Sequence, residues 1–404
     1  MLALLAVVAA GCAKEPVAPS ISVPLSAIVV SPDVDTLNVG GTAQFTATAL
    51  DTAGLPVSVS ISWISGDTRI FTVGSLGRVQ GVAEGTALLV AAAGGVRDSA
   101  QVTVLPGGGW VRQASATTAD LNGVFFLPGG RTGWAVGDAG TILRTTDAGV
   151  TWTRQVSGTA FTLNGVWFID DTDGWIAGMN GTVLVTSDAG LHWKRYANVG
   201  QSEALMDIQF ATADTGWVVG ASGLVLRTFD GGLTWGRFRV PTAFALESVS
   251  FANASDGWAV GGNGVIAGTH DAGVTWFITP PLTIQPLKAV WRRSEAVAFA
   301  VGGQGTTPRT FSAPDSSTWE LKNAGSARQL EGVHYPGDAI GYAVGYDAGL
   351  GGLILRTDDG GTSWEVQPSN VAPRLNDVFF VDALRGWAVG QSGTIVHTGR
   401  GGKP

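Results

Sequence analysis

The chain has 404 residues, of which 14% are charged and 45% hydrophobic, with 59 glycines and a formal net charge of -8. That composition excludes a charge-rich disordered protein, and the acidic balance excludes a nucleic-acid binder, which needs a basic face. No apolar run reaches the ~18 residues of a membrane-spanning helix.

The longest apolar segment comes first, Leu2 to Ala10, followed by Gly11 and Cys12. A short apolar stretch ending in small residues is the pattern of a signal peptide. Val8-Ala9-Ala10-Gly11-Cys12 resembles a bacterial lipobox. That resemblance implies removal of residues 1–11, lipid on Cys12, and an exported lipoprotein of the cell envelope, on the periplasmic or cell-surface side of a membrane. Cys12 is the only cysteine, so no internal disulfide or cysteine-based metal cluster is available. Residues 12–20, with Pro16 and Pro19, read as a tether, and the membrane is reached through the lipid anchor only.

Residues 21–105 carry short alternating apolar segments at Ala27 to Val30, Ala43 to Thr48, Ser60 to Trp63, Ala87 to Val90 and Ala100 to Val104. Period-two alternation broken by Gly, Pro, Asp and Ser turns predicts an antiparallel β-sandwich. On Leu37-Asn-Val39-Gly40-Gly41-Thr42, Trp63, Gly77-Arg-Val79-Gln-Gly81-Val82, Gly85-Thr86-Ala87 and Val102-Thr-Val104 the segment resembles bacterial immunoglobulin-like (Ig-like) group 2 domains. That resemblance implies a spacer or an adhesive module, and a single copy behind an anchor suits a spacer. Residues 106–109 form a Gly-rich linker.

From residue 110 to 404 one motif of about 42 residues recurs, and a period of that length marks a repeat architecture. Its clearest copy is Leu121-Asn-Gly-Val-Phe-Phe, Gly133-Trp-Ala-Val-Gly137, Gly140-Thr-Ile-Leu143 and Thr145-Thr-Asp147-Ala-Gly149-Val-Thr151-Trp152. The second segment recurs seven times, with its aromatic at Trp134, Trp175, Trp217, Trp258, Phe299, Tyr342 and Trp387. The closing Trp appears only six times, at Trp152, Trp193, Trp235, Trp276, Trp319 and Trp364. Trp110-Val-Arg-Gln113, ahead of the first copy, matches Trp152-Thr-Arg-Gln155 and supplies the missing outer strand. The predicted fold is all-β: a seven-bladed β-propeller over residues 110–404, its ring closed by the N-terminal segment, behind the Ig-like β-sandwich. A large flat side chain at one place in every blade suits sheets packed face to face.

Thr145 to Trp152 matches an Asp-box, S/T-x-D-x-G-x-T-W. Thr186 to Trp193, Thr228 to Trp235, Thr269 to Trp276 and Thr357 to Trp364 follow it, with His192 and Ser363 in place of the usual Thr. The carboxylates of Asp147, Asp188, Asp230, Asp271 and Asp359 are suited to accept N–H groups of their own turns. Gly149 is suited to a positive φ. Five equivalent turns spread around a rim read as structural acids.

Asp-boxes also occur in propeller glycosidases, so a catalytic set has to be sought. Asp170-Asp171 and Asp358-Asp359 fall in turns, and the four histidines, at different repeat positions, have no metal spacing. No catalytic residue, metal site or cofactor is expected. The position after each first-strand Leu is different: it holds Asn122, Asn164, Met206, Glu247, Lys288, Glu331 and Asn376. The first strand of a propeller blade lines the central channel, so these seven predict a binding ring at one mouth, with a plain solvated wall as the alternative. Trp167 and Trp291 stand at an inner-strand place that holds Phe in other copies. Arg144, Arg227 and Arg356 share Leu-Arg-Thr and are expected to pair with nearby turn acids, with a repeated basic surface as the alternative.

The order L-x-x-V-x-F, G-W-x-V-G, G-x-I-L-x-T-x-D-G-G-x-T-W over residues 110–402 resembles the photosystem II stability and assembly factor propellers. That resemblance implies a non-catalytic protein that binds protein partners. The expectation is an exported, lipid-anchored, monomeric binding propeller acting on an unknown protein or glycan partner. Two competing readings stay open: a divergent Asp-box glycoside hydrolase and a polysaccharide-binding surface adhesin.

Overall fold

The computed structural model describes residues 25–403 apart from 40, 106–108, 197–198, 200–201, 295–296, 311–317, 326–327, 350 and 370. The signal segment, Cys12, the tether and most of the linker lie outside the described residues. Strands make up all the described regular structure except five short 3-10 turns.

Residues 25–105 form three small sheets. Leu25–Ser31 pairs with Thr46–Asp51; Val34–Asn38, Val96–Leu105, Gly85–Ala93 and Ser62–Ser65 make a second sheet; Thr42–Gln44, Arg78–Gly81 and Phe71–Val73 make a third. Alternation sends Ile28, Val30, Phe45, Phe71, Val79, Leu89 and Val102 into one buried cluster. One pairing departs from the antiparallel expectation: Val34–Asn38 runs parallel to Val96–Leu105. The chain changes sheets across Pro32-Asp33, and the new strand enters at the sheet's edge beside Val96–Leu105, the last strand of this region.

Seven consecutive sheets follow among the described residues, six of four strands and one of three. In the first of them Leu121–Phe126, Gly133–Gly137, Thr141–Thr145 and Thr153–Gln155 run in order as an antiparallel meander. The last sheet takes its outer strand from the other end of the repeat region. Val111–Gln113 pairs with Thr394–Thr398 in the register Val111↔His397, Arg112↔Val396 and Gln113↔Ile395.

Flat aromatics join the sheets. The second-strand aromatic of one sheet stacks on the last residue of the next sheet's first strand, as in Trp134 on Phe168, Trp217 on Phe251 and Tyr342 on Phe380. Ring centroids lie 3.5 Å apart in the first two pairs and 3.6 Å in the third. Trp387 of the last sheet stacks on Phe126 of the first at 3.6 Å, and its Nε1 donates to Ala148 O at 3.1 Å. In the fifth sheet the stacked place is filled by the buried Arg292. The Gly before each Trp has a steric cause: a Cβ on Gly133 would lie 2.5 Å from the Phe126 ring.

Candidate functional site

Each first strand carries a fully buried Leu and bulges at the next residue. Leu121 pairs with Gly137 and Gly123 with Val136, which leaves Asn122 outside the ladder. The same shift leaves out Asn164, Met206, Glu247, Lys288, Glu331 and Asn376. A bulge re-aims the side chain it carries. All seven residues line one cavity of about 150 Å³.

Three members of this ring are engaged in holding sheets together. Asn376 Nδ2 donates to Leu121 O at 2.9 Å, Asn122 Nδ2 to Leu163 O at 3.1 Å, and Asn164 Nδ2 to Leu205 O at 2.7 Å. Each bond crosses to the next sheet. Lys288 Nζ lies 3.1 Å from Glu247 Oε1, and Arg374 donates to Glu331 Oε1 at 3.4 Å. Desolvation raises the Glu331 carboxyl above its ordinary value, against the pull of Arg374 and Lys288.

Deeper in the channel the walls differ. The innermost strand of a sheet has an edge whose N–H groups need acceptors. Asp207 Oδ2 accepts from Val249 N at 3.0 Å and from Ser248 Oγ at 2.9 Å, and its Oδ1 accepts from Ile208 N at 2.8 Å. Gln209 Oε1 accepts from Phe251 N at 2.6 Å, and Ser250 Oγ accepts from Arg292 N at 2.9 Å. Across the seam, Asp377 Oδ2 accepts from Val124 N and its Oδ1 from Val378 N, at 2.9 and 2.8 Å. The third and fourth sheets thus present a polar arc.

The other sheets present an aromatic arc: Phe125–Trp167 at 5.1 Å, Phe125–Phe379 at 4.9 Å, Phe379–His334 at 4.6 Å and His334–Trp291 at 4.0 Å between centroids. Trp167 and Trp291 are therefore members of this wall. Asp207 and Asp377 keep some surface on the cavity but are largely desolvated by the surrounding walls. Desolvation pushes Asp207 up to about 6 and Asp377 up to about 7, the Asp207 charge adding to the second. His334, 4% exposed, is lowered by desolvation to about 3 and stays neutral. Its Nδ1, with Trp167 Nε1 and Trp291 Nε1, has no hydrogen-bond partner among the described residues.

Sequence reasoning missed Asp207, Asp377 and His334. The two acids stand where four other first strands have Gly or Ala, and His334 stands where four others have Phe or Trp. The available signal was a carboxylate two residues after the first-strand Leu and directly before an apolar residue, in Leu-Met-Asp207-Ile and Leu-Asn-Asp377-Val.

The Asp-box acids stay in their own turns, and none lines the channel cavity. Asp147 Oδ1 accepts from Thr145 Oγ1 at 2.8 Å and Thr151 N at 2.9 Å, and Oδ2 accepts from Thr151 Oγ1 at 2.7 Å. Asp230, Asp271 and Asp359 repeat this set. In the second copy His192 replaces the Thr, with its N 2.9 Å from Asp188 Oδ1 and its Nδ1 2.6 Å from Oδ2. The arginine expectation needs correction. Arg356 pairs with Asp358, but Arg227 lies over Phe229 and Phe238, and Arg144 lies over Trp134. Arg144 is the cross-strand partner of Trp134, which brings its guanidinium over that aromatic face.

Residues 108–197 and 195–283 match the family model of the photosynthesis system II assembly factor YCF48. The structure superposes on a YCF48 bound to a D1 peptide with a TM-score of 0.60 and 21% identity, over 73% of this chain and 96% of that one. The fold is that of a YCF48-like β-propeller. YCF48 from Cyanidioschyzon merolae gives a TM-score of 0.60 at 20% identity, covering 72% of this chain and 98% of its own. A catalytically inactive virginiamycin B lyase from Staphylococcus aureus, with quinupristin, gives 0.60 at 13% identity over 71% and 98%. No curated protein matches the chain in sequence. In this YCF48-like propeller the seven bulged positions and the channel walls bring all seven of the described sheets onto a single space.

Proposed function

We propose that this chain is an exported, lipid-anchored, non-catalytic propeller that holds a protein partner at the mouth of its central channel. In this reading the seven consecutive sheets close as a seven-bladed ring. Residues 21–105 are an Ig-like spacer, and Cys12 carries the lipid. The partner is met on the periplasmic or cell-surface side of the membrane.

The observation that carries the reading is the repeated bulge, which turns seven different side chains onto one cavity while the Asp-box acids stay in separate turns. A YCF48 structure with a bound D1 peptide supports a polypeptide partner. The test places a photo-crosslinking residue at Met206 or Glu331 in native cells, and at the exposed Val156 as a rim control. The expected result is a protein adduct from the mouth positions alone; equal labelling from Val156, or none from the mouth, overturns the reading. Anchoring has its own test. Cys12→Ser should release the protein from membranes, and unchanged retention refutes the lipid.

One observation favours a glycoside hydrolase instead: Asp207 and Asp377 share a cavity, and such enzymes work with two carboxylates. Each of these acids, however, is already engaged with backbone N–H groups of the channel strands. Glycoside cleavage by the purified chain that disappears in Asp377→Asn would replace the binding reading with the catalytic one.

A further inference from the structure

The channel cavity is too small for a folded ligand. At about 150 Å³ it is below the ~300 Å³ of ordinary ligand pockets and close to the size that admits one benzene-sized group. It therefore suits a single side chain. Its chemistry is lopsided: of the four carboxylates that line it, Glu247 takes Lys288 and Glu331 takes Arg374, while Asp207 and Asp377 have no cationic partner among the described residues. An acid-lined cleft with low-dielectric walls draws in cations.

The deeper acids have acceptor capacity left. A carboxylate offers about four lone-pair sites. Asp377 uses two of them on Val124 N and Val378 N, and Asp207 uses three. Opposite the polar arc stand aromatic rings, which attract cations through their faces. A second feature points the same way. His334 is 4% exposed and neutral, and its Nδ1 has no partner among the described residues although the side chain lines this cavity. A neutral imidazole nitrogen can accept from an N–H donor.

We propose that the channel receives one basic side chain, Lys or Arg, from the protein partner, its cationic head held by Asp207 and Asp377 and its stem lying along Trp167 and Trp291. This rests on the mouth being the partner site. The partner thus carries an exposed basic residue on a loop or terminus narrow enough to enter the ring.

The experiment titrates the full chain with acetyl-Gly-Gly-Lys-Gly-Gly-amide and its Arg, Gln and Glu counterparts, read by calorimetry and tryptophan fluorescence. The Lys or Arg peptide should bind at least tenfold more tightly than the Gln and Glu peptides. Asp207→Asn/Asp377→Asn should abolish that preference, while the surface pair Asp214→Asn/Glu365→Gln, which removes the same charge, should retain it. If the channel double variant does not fold, Trp291→Leu gives the second arm, with at least fivefold weaker binding expected. Equal binding of the Gln peptide, or full affinity in a folded channel variant, overturns the proposal. A mouth-specific adduct in cells together with no preference for basic peptides overturns this proposal and leaves the partner reading standing; loss of both overturns both.

Discussion

At the residue scale, the same residue type does opposite work on the rim and in the channel. Asp359 is surrounded by donors of its own turn, Ser363 N first among them, and its carboxyl is held down at about 2. Asp377 is largely desolvated in the channel and is pushed up to about 7. The rim acid is a staple. Asp147→Ala removes the acceptor for Thr145 Oγ1, Thr151 N and Thr151 Oγ1, and urea unfolding should show a loss of about 1–2 kcal/mol. A change below ~0.5 kcal/mol would show that the turn holds without it.

The channel residues make a pH prediction with two opposing parts. Asp207 and Asp377 bind protons more tightly in the folded chain than in the unfolded one, so their contribution is complete below about pH 4 and is lost as pH rises through about 6 to 7. Burial lowers His334 to about 3 and His397 to about 4. Below about pH 6.5 the unfolded chain therefore takes up protons that these folded histidines refuse, and stability falls as pH falls. The two effects oppose each other between about pH 4 and 6.5. Removing the acids with Asp207→Asn/Asp377→Asn leaves the histidine part alone. The variant's denaturation midpoint should then climb more steeply from pH 4.5 to 6.5 than that of the parent chain, and parallel curves would refute the assignment. The Asp-box acids were legible because the motif repeats their surroundings. The channel acids were not, because a lone Asp in a Gly or Ala column follows no period.

At the element scale, the first strand carries two patterns that share one register. Its apolar letters, Leu121, Val124 and Phe126 in the first sheet, are read directly from the repeat. The bulge between Leu121 and Gly123 is not, because a register shift requires no particular residue type. That is why the variable ring was legible as a column of changing side chains, but its cause was hidden. The Asn members were also more structural than their variability suggested, since Asn122, Asn164 and Asn376 each bond a Leu carbonyl of the following sheet. The second strands contribute the stacked Trp. Trp217 is fully buried, stacks on Phe251 and donates Nε1 to Ala272 O at 2.8 Å. Trp217→Ala should cost about 3–5 kcal/mol, measured by chemical denaturation. The same change at Trp193, which is only half-buried, should cost clearly less, and equal losses would contradict the inter-sheet role.

At the scale of the whole molecule, the strand count was legible because one copy lacked its closing Trp and one orphan segment, Trp110 to Gln113, matched it. Residues 25–105 were legible as alternating strands, but their parallel pair at Val34–Asn38 was not, since alternation is the same in either direction. A chain beginning at residue 109 should keep the unfolding transition of the repeat region. One beginning at residue 114 loses the Val111–Gln113 strand, exposes the Thr394–Thr398 edge, and should melt earlier and associate in light scattering. Equal melting of the two would show that this strand contributes nothing to closure.

The same strand also decides where mechanical load arrives. Residues 25–105 are continuous in sequence with Val111–Gln113, and Gly109 N is bonded to Lys403 O at 2.9 Å, so both ends of the repeat region meet at one seam. Tension applied through the N-terminal side reaches the buried Trp110, packed edge-on against Tyr342 and Phe380, and three backbone pairings before it reaches any of the stacked second-strand Trp. Pulled from that side, the ring should yield first at this latch, in a short low-force step ahead of the main rupture.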